Sequence, residues 1–72
     1  HLQFVMNLKK HMEILDVSNH LGHSGNYEVR KYRDGGGYVI LDALGDFVII
    51  EEDEADNIYS IIYTDLHGKR AN

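Results

Sequence analysis

The chain has 72 residues, no Cys, no Pro and a formal net charge of −5, with 43% apolar and 26% charged residues. This composition is typical of one small folded domain, residues 1–72, and it excludes disulfides, cysteine-based zinc sites and thiol catalysis. With no Cys and no apolar run long enough to span a bilayer, the sequence predicts a soluble protein of the cytoplasm.

The first predicted element is a helix near the N-terminus. We interpret residues 1–5, which precede the first Met, as flexible or as a remnant of an expression tag or upstream segment. From Phe4 to Leu21 apolar residues recur at helical spacing, and Gly22 is placed to end the helix. The apolar positions of this stripe are Phe4, Leu8, Met12 and Leu15.

Three strands are predicted in the middle of the chain. "NYEVRKYR" alternates as a half-exposed strand does, and the glycines of "DGGG" permit a tight reversal. "YVILDAL" forms the second strand, and a turn at Gly45-Asp46 leads into the third, "FVIIEE". Such short connections predict an antiparallel meander with Tyr38 to Ala43 at its centre.

The last element, "NIYSIIYTDL", carries conflicting signals. Its β-branched and aromatic residues favour a strand, whereas Ala55, Ile58, Ile62 and Leu66 follow helical spacing. Asp53 is a suitable N-cap and Gly68 a suitable C-terminal residue, so we favour a helix. The predicted fold is α+β, in the order α-β-β-β-α, with the meander packed by both helices. The alternative is one helix with a four-stranded antiparallel sheet.

Basic and acidic residues are unevenly distributed along the chain. Residues 1–33 carry five Lys or Arg against three acids, whereas residues 34–68 carry nine acids and no Lys or Arg. The acids concentrate in "FVIIEEDEAD", where they fit either a solvated strand-to-helix junction or a surface that binds a basic protein. The candidate partner-binding acids are Glu51, Glu52, Glu54 and Asp56.

Motifs for catalysis or cofactor binding are weak, and we predict a protein that is not an enzyme and has no metal or cofactor. The acidic run lacks the Gly and terminal Glu of a calcium loop, and "RDGGGY" precedes a strand rather than a phosphate-binding helix. His20 and His23 lack a third ligand. Ser24 beside His23 is outside any nucleophile-elbow pattern.

The second and third predicted strands are apolar at both alternating sets of positions. One set is Val39, Leu41, Val48 and Ile50; the other is Tyr38, Ile40, Phe47 and Ile49. A sheet covered on one side needs only one such set. Either the two helices cover opposite faces, or a partner or second copy covers Tyr38, Ile40, Phe47 and Ile49.

In size, acidity, lack of Cys and predicted plan, the chain resembles small phage or mobile-element proteins that block host machinery, including some anti-CRISPR proteins. The resemblance implies a binding module or inhibitor that occupies a basic, nucleic-acid-binding surface of a host protein. One alternative is a nucleic-acid-associated regulatory domain that uses the basic and aromatic residues of "YEVRKYR". The other is a structural homodimer subunit.

Overall fold

The computed structural model describes the backbone of residues 2–68 and the side chains of residues 8–68. His1 and the two basic residues Lys69 and Arg70 therefore lie outside the described residues, and Leu2 begins the first helix. The elements, in chain order, are α1 (Leu2–Val17), β1 (Ser18–Ser24), β2 (Tyr27–Tyr32), β3 (Tyr38–Leu41), β4 (Phe47–Ile50) and α2 (Glu52–His67).

The α+β class is confirmed, with the order α-β-β-β-β-α. The four strands form one antiparallel sheet in the order β1-β2-β3-β4. The meander of β2, β3 and β4 was predicted, and so was the helix at residues 52–67. The sheet has the four strands of the alternative prediction, but its additional strand is β1 and not the C-terminal element.

The helical prediction for residues 18–21 is wrong. α1 ends at Val17, and the chain continues directly into β1, which pairs with β2 from Ser18 opposite Tyr32 to Ser24 opposite Tyr27. Ser18 is buried and donates its hydroxyl to the carbonyl of Ile14, four residues earlier. A serine that bonds backward in this way competes with the helical backbone pattern, and here it marks the last turn of α1.

The register between β3 and β4 differs from the prediction. Leu41 pairs with Phe47, and Val39 pairs with Ile49, so these residues share a face. A turn at Gly45-Asp46 alone would place Leu41 opposite Ile50. Instead, the reversal takes five residues, because one carboxylate oxygen of Asp42 accepts the backbone N–H groups of Leu44 and Asp46 at 2.9 and 3.0 Å.

The sheet therefore has two faces with different surroundings. We call the side packed against α1 the helix face; its apolar members are Tyr32, Val39, Leu41, Phe47 and Ile49. We call the other side the open face; its members include Lys31, Tyr38, Ile40, Val48 and Ile50. The predicted grouping of Tyr38 and Ile40 with Phe47 and Ile49 is wrong, since the first pair lies on the open face and the second pair on the helix face.

The core is small. Among residues 8–68 the buried hydrophobic side chains are Ile14, Val39 and Leu41, with Tyr32 and Phe47 packed partly against them. The C-terminal end of α1 thus packs on the helix face. None of the open-face residues named above is buried.

α2 leaves the sheet through a tight junction. Only Glu51 separates β4 from α2, and the backbone of Ile50 and Glu52 lies against Gly37. The predicted cap at Asp53 is wrong: Glu51 occupies the N-cap position, has extended backbone and makes no side-chain capping bond. The predicted end at Gly68 is confirmed, with left-handed φ of 72° and its N–H donated to Thr64.

Within residues 2–68, neither helix combines the length and the apolar character that crossing a membrane would require.

Candidate functional site

The predicted acidic residues lie together around the start of α2. Glu51 is the N-cap, Glu52 and Glu54 are in the first turn, and Asp56 follows one turn after Glu52. All four are exposed. Acidic side chains are favoured here because the first N–H groups of a helix carry partial positive charge, so this placement also stabilises α2 itself.

One of these acids is engaged within the chain. Glu52 accepts a hydrogen bond from Lys31 Nζ at 3.0 Å, and the same ammonium lies 4.5 Å from the ring centroid of Tyr38. The bond to Glu52 raises the pKa of Lys31. This contact joins a side chain of the open face to the first turn of α2.

The other three candidate acids make no ion pair with any residue from 8 to 68. Glu51, Glu54 and Asp56 point around the N-terminal end of α2, and no Lys or Arg side chain of that range is within salt-bridge distance of them. No cation of that range therefore balances their negative charge. Together with Glu52 they form what we call the acidic cluster: Glu51, Glu52, Glu54 and Asp56.

By contrast, the arginines of "YEVRKYR" form hydrogen bonds with other residues of the same chain. Arg30 donates to the Ser18 hydroxyl and to the Ser18 carbonyl, each at 2.7 Å, and to Glu28 at 2.7 Å. Arg33 donates to the carbonyls of Asp16 and Ser18 and to the Asn19 side chain. These guanidinium groups join the end of α1 to β1 and β2, where the last helical carbonyls need donors.

A small charged cluster surrounds Glu28 on the helix face. Its carboxylate accepts from His20 Nδ1 at 2.8 Å and from Arg30 Nη1 at 2.7 Å. The hydrogen bond from His20 and then the bond and charge of Arg30 lower the pKa of Glu28, while partial burial opposes them. The cluster holds an anion between two donors, an arrangement that supports the β1–β2 pairing.

His20 and His23 are neighbours on β1. The His20 and His23 rings lie on β1 with centroids 4.7 Å apart. In the part of the chain that the structure describes, no group of three or more metal-ligating side chains comes together.

In addition to the acidic cluster, the structure has two exposed apolar surfaces. One is the exposed side of α2, whose helical spacing was visible in the sequence. The other is an open groove of about 400 Å³ on the helix face, between α1 and β4. Its apolar lining is Ile14, Val17, Tyr32, Phe47 and Ile49. Sequence reasoning missed the groove because it depends on α1 ending at Val17 and on the β3–β4 register.

No protein-family model matches the chain, and comparison with curated proteins and with solved structures finds no significant match.

Proposed function

We propose that this protein is a small protein-binding module, not an enzyme, whose acidic cluster docks on a basic surface of another protein. The observation that carries this proposal is the contrast between its charged groups. Glu51, Glu54 and Asp56 are exposed and bonded to no described side chain, whereas Arg30 and Arg33 are held by backbone and side-chain acceptors of the same chain. A partner that contacts the start of α2 would therefore meet negative charge.

The chemistry of the partner follows from that charge. Carboxylates held at the start of a helix present acceptors to Lys and Arg side chains, as the phosphates of a nucleic acid do. A protein groove that binds nucleic acid is thus a suitable target, and blocking such a groove would make this module an inhibitor. The lack of Cys supports a reducing, cytoplasmic setting for the interaction.

Nucleic-acid binding by β2 is less well supported. Base stacking and phosphate contact require free cations beside exposed aromatic rings. Here Lys31 is bonded to Glu52 and lies over Tyr38, and Arg30 spans four acceptors. Binding a phosphate would require these bonds to break.

The experiment is a comparison of two triple variants with equal loss of charge. Tagged protein is used to purify partners from cells of its source organism. The test variant combines Glu51→Gln, Glu54→Gln and Asp56→Asn, and it leaves the Lys31–Glu52 bond in place. The matched control combines Asp34→Asn, Asp46→Asn and Asp65→Asn, which remove three exposed acids elsewhere.

We expect a partner that is retained by the wild type and the control and lost with the test variant. The same complex should weaken strongly from about 0.1 M to about 1 M salt, over which the Debye length falls from about 10 Å to about 3 Å. Equal retention by both variants, or an affinity independent of salt, would refute the proposal.

A further inference from the structure

His20 and His23 lie on the same face of the sheet because β1 contains a β-bulge. The pairing of β1 with β2 shifts between His20 and Gly22, so one extra residue is accommodated between the two histidines. Their partners on β2 are Arg30 and Glu28, which also share a face and are bonded to each other. In a regular strand, residues three positions apart point to opposite faces, so the spacing in the sequence does not predict this pair.

The two imidazole rings are close enough to share one metal ion. Their centroids are 4.7 Å apart, and the ring planes are tilted by 46°. Two imidazoles that each place a nitrogen about 2.0–2.1 Å from the same ion have centroids roughly 4.5–5 Å apart. Both His20 and His23 are exposed, so an ion can reach them from solvent.

Glu28 determines which nitrogen of His20 is available to an ion. Its carboxylate lies 2.8 Å from Nδ1 of His20. The bonds from His20 and Arg30 lower the pKa of Glu28, so at neutral pH its carboxylate is ionised and can only accept. Nδ1 therefore carries the proton, and the lone pair of a neutral His20 lies on Nε2. A carboxylate that bonds to the other nitrogen of a ligating histidine is a common support in metal sites.

The second ring and the local charges define what kind of ion fits. His23 makes no side-chain hydrogen bond with any residue from 8 to 68, so its ring can turn to bring a nitrogen toward the ion. Glu28 and Arg30 are paired at 2.7 Å, and their charges offset one another. Affinity must therefore come from bonds to imidazole nitrogen and not from net negative charge.

We propose that His20 and His23 bind one divalent transition-metal ion, through Nε2 of His20 and a nitrogen of His23, with water at the other positions. Among residues 8–68 no third ligating side chain joins them, so the chain supplies two ligands. Imidazole suits Cu²⁺, Ni²⁺ and Zn²⁺, and a given set of ligands binds Cu²⁺ most tightly of these. The site uses none of the acidic cluster and goes beyond the binding of a basic protein.

Zinc titration followed by NMR of the imidazole ring signals tests the site one histidine at a time. We expect the signals of His20 and His23 to shift together with one dissociation constant, at Zn²⁺ concentrations that shift His11 and His67 little. Cu²⁺ should broaden the same two sets of signals at concentrations lower by about tenfold or more. Mg²⁺, which prefers oxygen ligands, should leave them unchanged.

His23→Gln is the decisive variant, because His23 is exposed and its loss breaks no side-chain hydrogen bond among residues 8–68. It should raise the Zn²⁺ dissociation constant measured at His20 by about tenfold or more. The matched control is His67→Gln, which removes an exposed histidine of α2 and should leave the dissociation constant at His20 unchanged.

The role of Glu28 has a separate readout in the metal-free protein. Long-range ¹H–¹⁵N spectra at about pH 8, where imidazole is neutral, show which ring nitrogen carries the proton. We expect the proton of His20 on Nδ1. A proton on Nε2 would overturn the site, since no lone pair would then lie where the ion must bind.

Two outcomes of the titration would also overturn the proposal. Equal Zn²⁺ affinity at His20 in the wild type and in His23→Gln would show that the rings do not share an ion. A response of His67 as strong as that of His20 would show that any exposed histidine binds the metal equally. The triple variant of the acidic cluster should bind Zn²⁺ at His20 and His23 as the wild type does, so this proposal and the proposed function fail separately.

Discussion

Arg30 on β2 and Ser18 at the start of β1 are joined by two hydrogen bonds of 2.7 Å. Arg30 Nε donates to the Ser18 hydroxyl, and Arg30 Nη2 donates to the Ser18 carbonyl. Ser18 in turn donates to the carbonyl of Ile14, a core residue of α1. One guanidinium thus couples the end of α1 to the centre of the sheet, beside the buried side chains of Ile14, Val39 and Leu41.

The first prediction concerns this coupling. Arg30→Lys keeps the positive charge but replaces the planar set of donors by one ammonium, which cannot reach Ser18 and Glu28 in the same geometry. Since the Arg30 side chain is only 12% exposed, we expect the free energy of unfolding to fall by about 2–3 kcal/mol. Urea denaturation at fixed protein concentration measures this loss.

The control for Arg30 is a neighbouring cation on the same strand. Lys31→Arg retains a donor for Glu52 on the exposed open face, and its unfolding midpoint should stay close to that of the wild type. In a double-mutant cycle, Arg30→Lys and Ser18→Ala should be less than additive, because each removes the same hydrogen bond. Additive losses would contradict the coupling.

The second prediction is a pH dependence of stability that depends on Glu28. His20 and Arg30 hold the pKa of Glu28 below its ordinary value of 4.5 in the folded protein. A carboxyl group with a lowered folded pKa binds protons more readily in the unfolded chain. Its stabilisation is therefore fully present above pH 4.5 and is lost as the pH falls through the folded pKa.

Urea denaturation from about pH 6 to about pH 3 checks this dependence. Glu28→Gln should be less stable than the wild type at the upper end and should lose less stability on acidification, because it has no carboxyl group to protonate. Asp65→Asn, which removes an exposed acid that makes no ion pair with any described residue, should keep the slope of the wild type. Parallel curves for Glu28→Gln and the wild type would contradict the assignment.

The elements that could be predicted from the sequence have strong local signals. The sequence of β2 has alternating residue types. The "DGGG" reversal supplies positive φ at Gly35 and Gly37, and Gly68 ends α2 in the left-handed region. The helical spacing of Ala55, Ile58 and Ile62 outweighed the β propensity of that segment. In each case residues that are close together in the sequence determine the local conformation.

The elements that could not be predicted depend on contacts between distant residues. β1, "SNHLGHS", has few strand-forming side chains and continues the apolar spacing of α1; it is a strand because β2 supplies its hydrogen-bond partners and Arg30 and Arg33 hold its start. The grouping of the sheet faces failed because one Asp42 carboxylate changes the register. The position of the acidic cluster could be predicted from the sequence. The groove could not, because it depends on where α1 ends and β1 begins and on the β3–β4 register.

The third prediction tests that register. Asp42→Ala removes the acceptor of the Leu44 and Asp46 N–H groups, and we expect a loss of about 1–2 kcal/mol in the free energy of unfolding. Asp42→Asn keeps a side-chain oxygen at the same position and should recover most of that loss. Amide hydrogen exchange should show faster exchange in the β3–β4 pair of Asp42→Ala. Equal stability of the Ala and Asn variants would contradict the role of this oxygen.

The fourth prediction concerns the junction that directs α2. Gly37 has φ of 107°, and a Cβ added there would overlap the carbonyl oxygen of Ile50 and lie 3.0 Å from the backbone nitrogen of Glu52. Both the backbone conformation and the space therefore require glycine. Gly35 also has positive φ, 86°, but a Cβ there would meet nothing within 4 Å.

Gly35→Ala should therefore destabilise the protein by about 1 kcal/mol through backbone strain alone, and Gly37→Ala by about 3 kcal/mol or more, since β4 and α2 must also shift. Urea denaturation measures both losses. Because the shift moves the start of α2, amide exchange in residues 52–56 should also quicken in Gly37→Ala and not in Gly35→Ala. Similar losses for the two variants would contradict the close packing of Gly37 against Ile50 and Glu52.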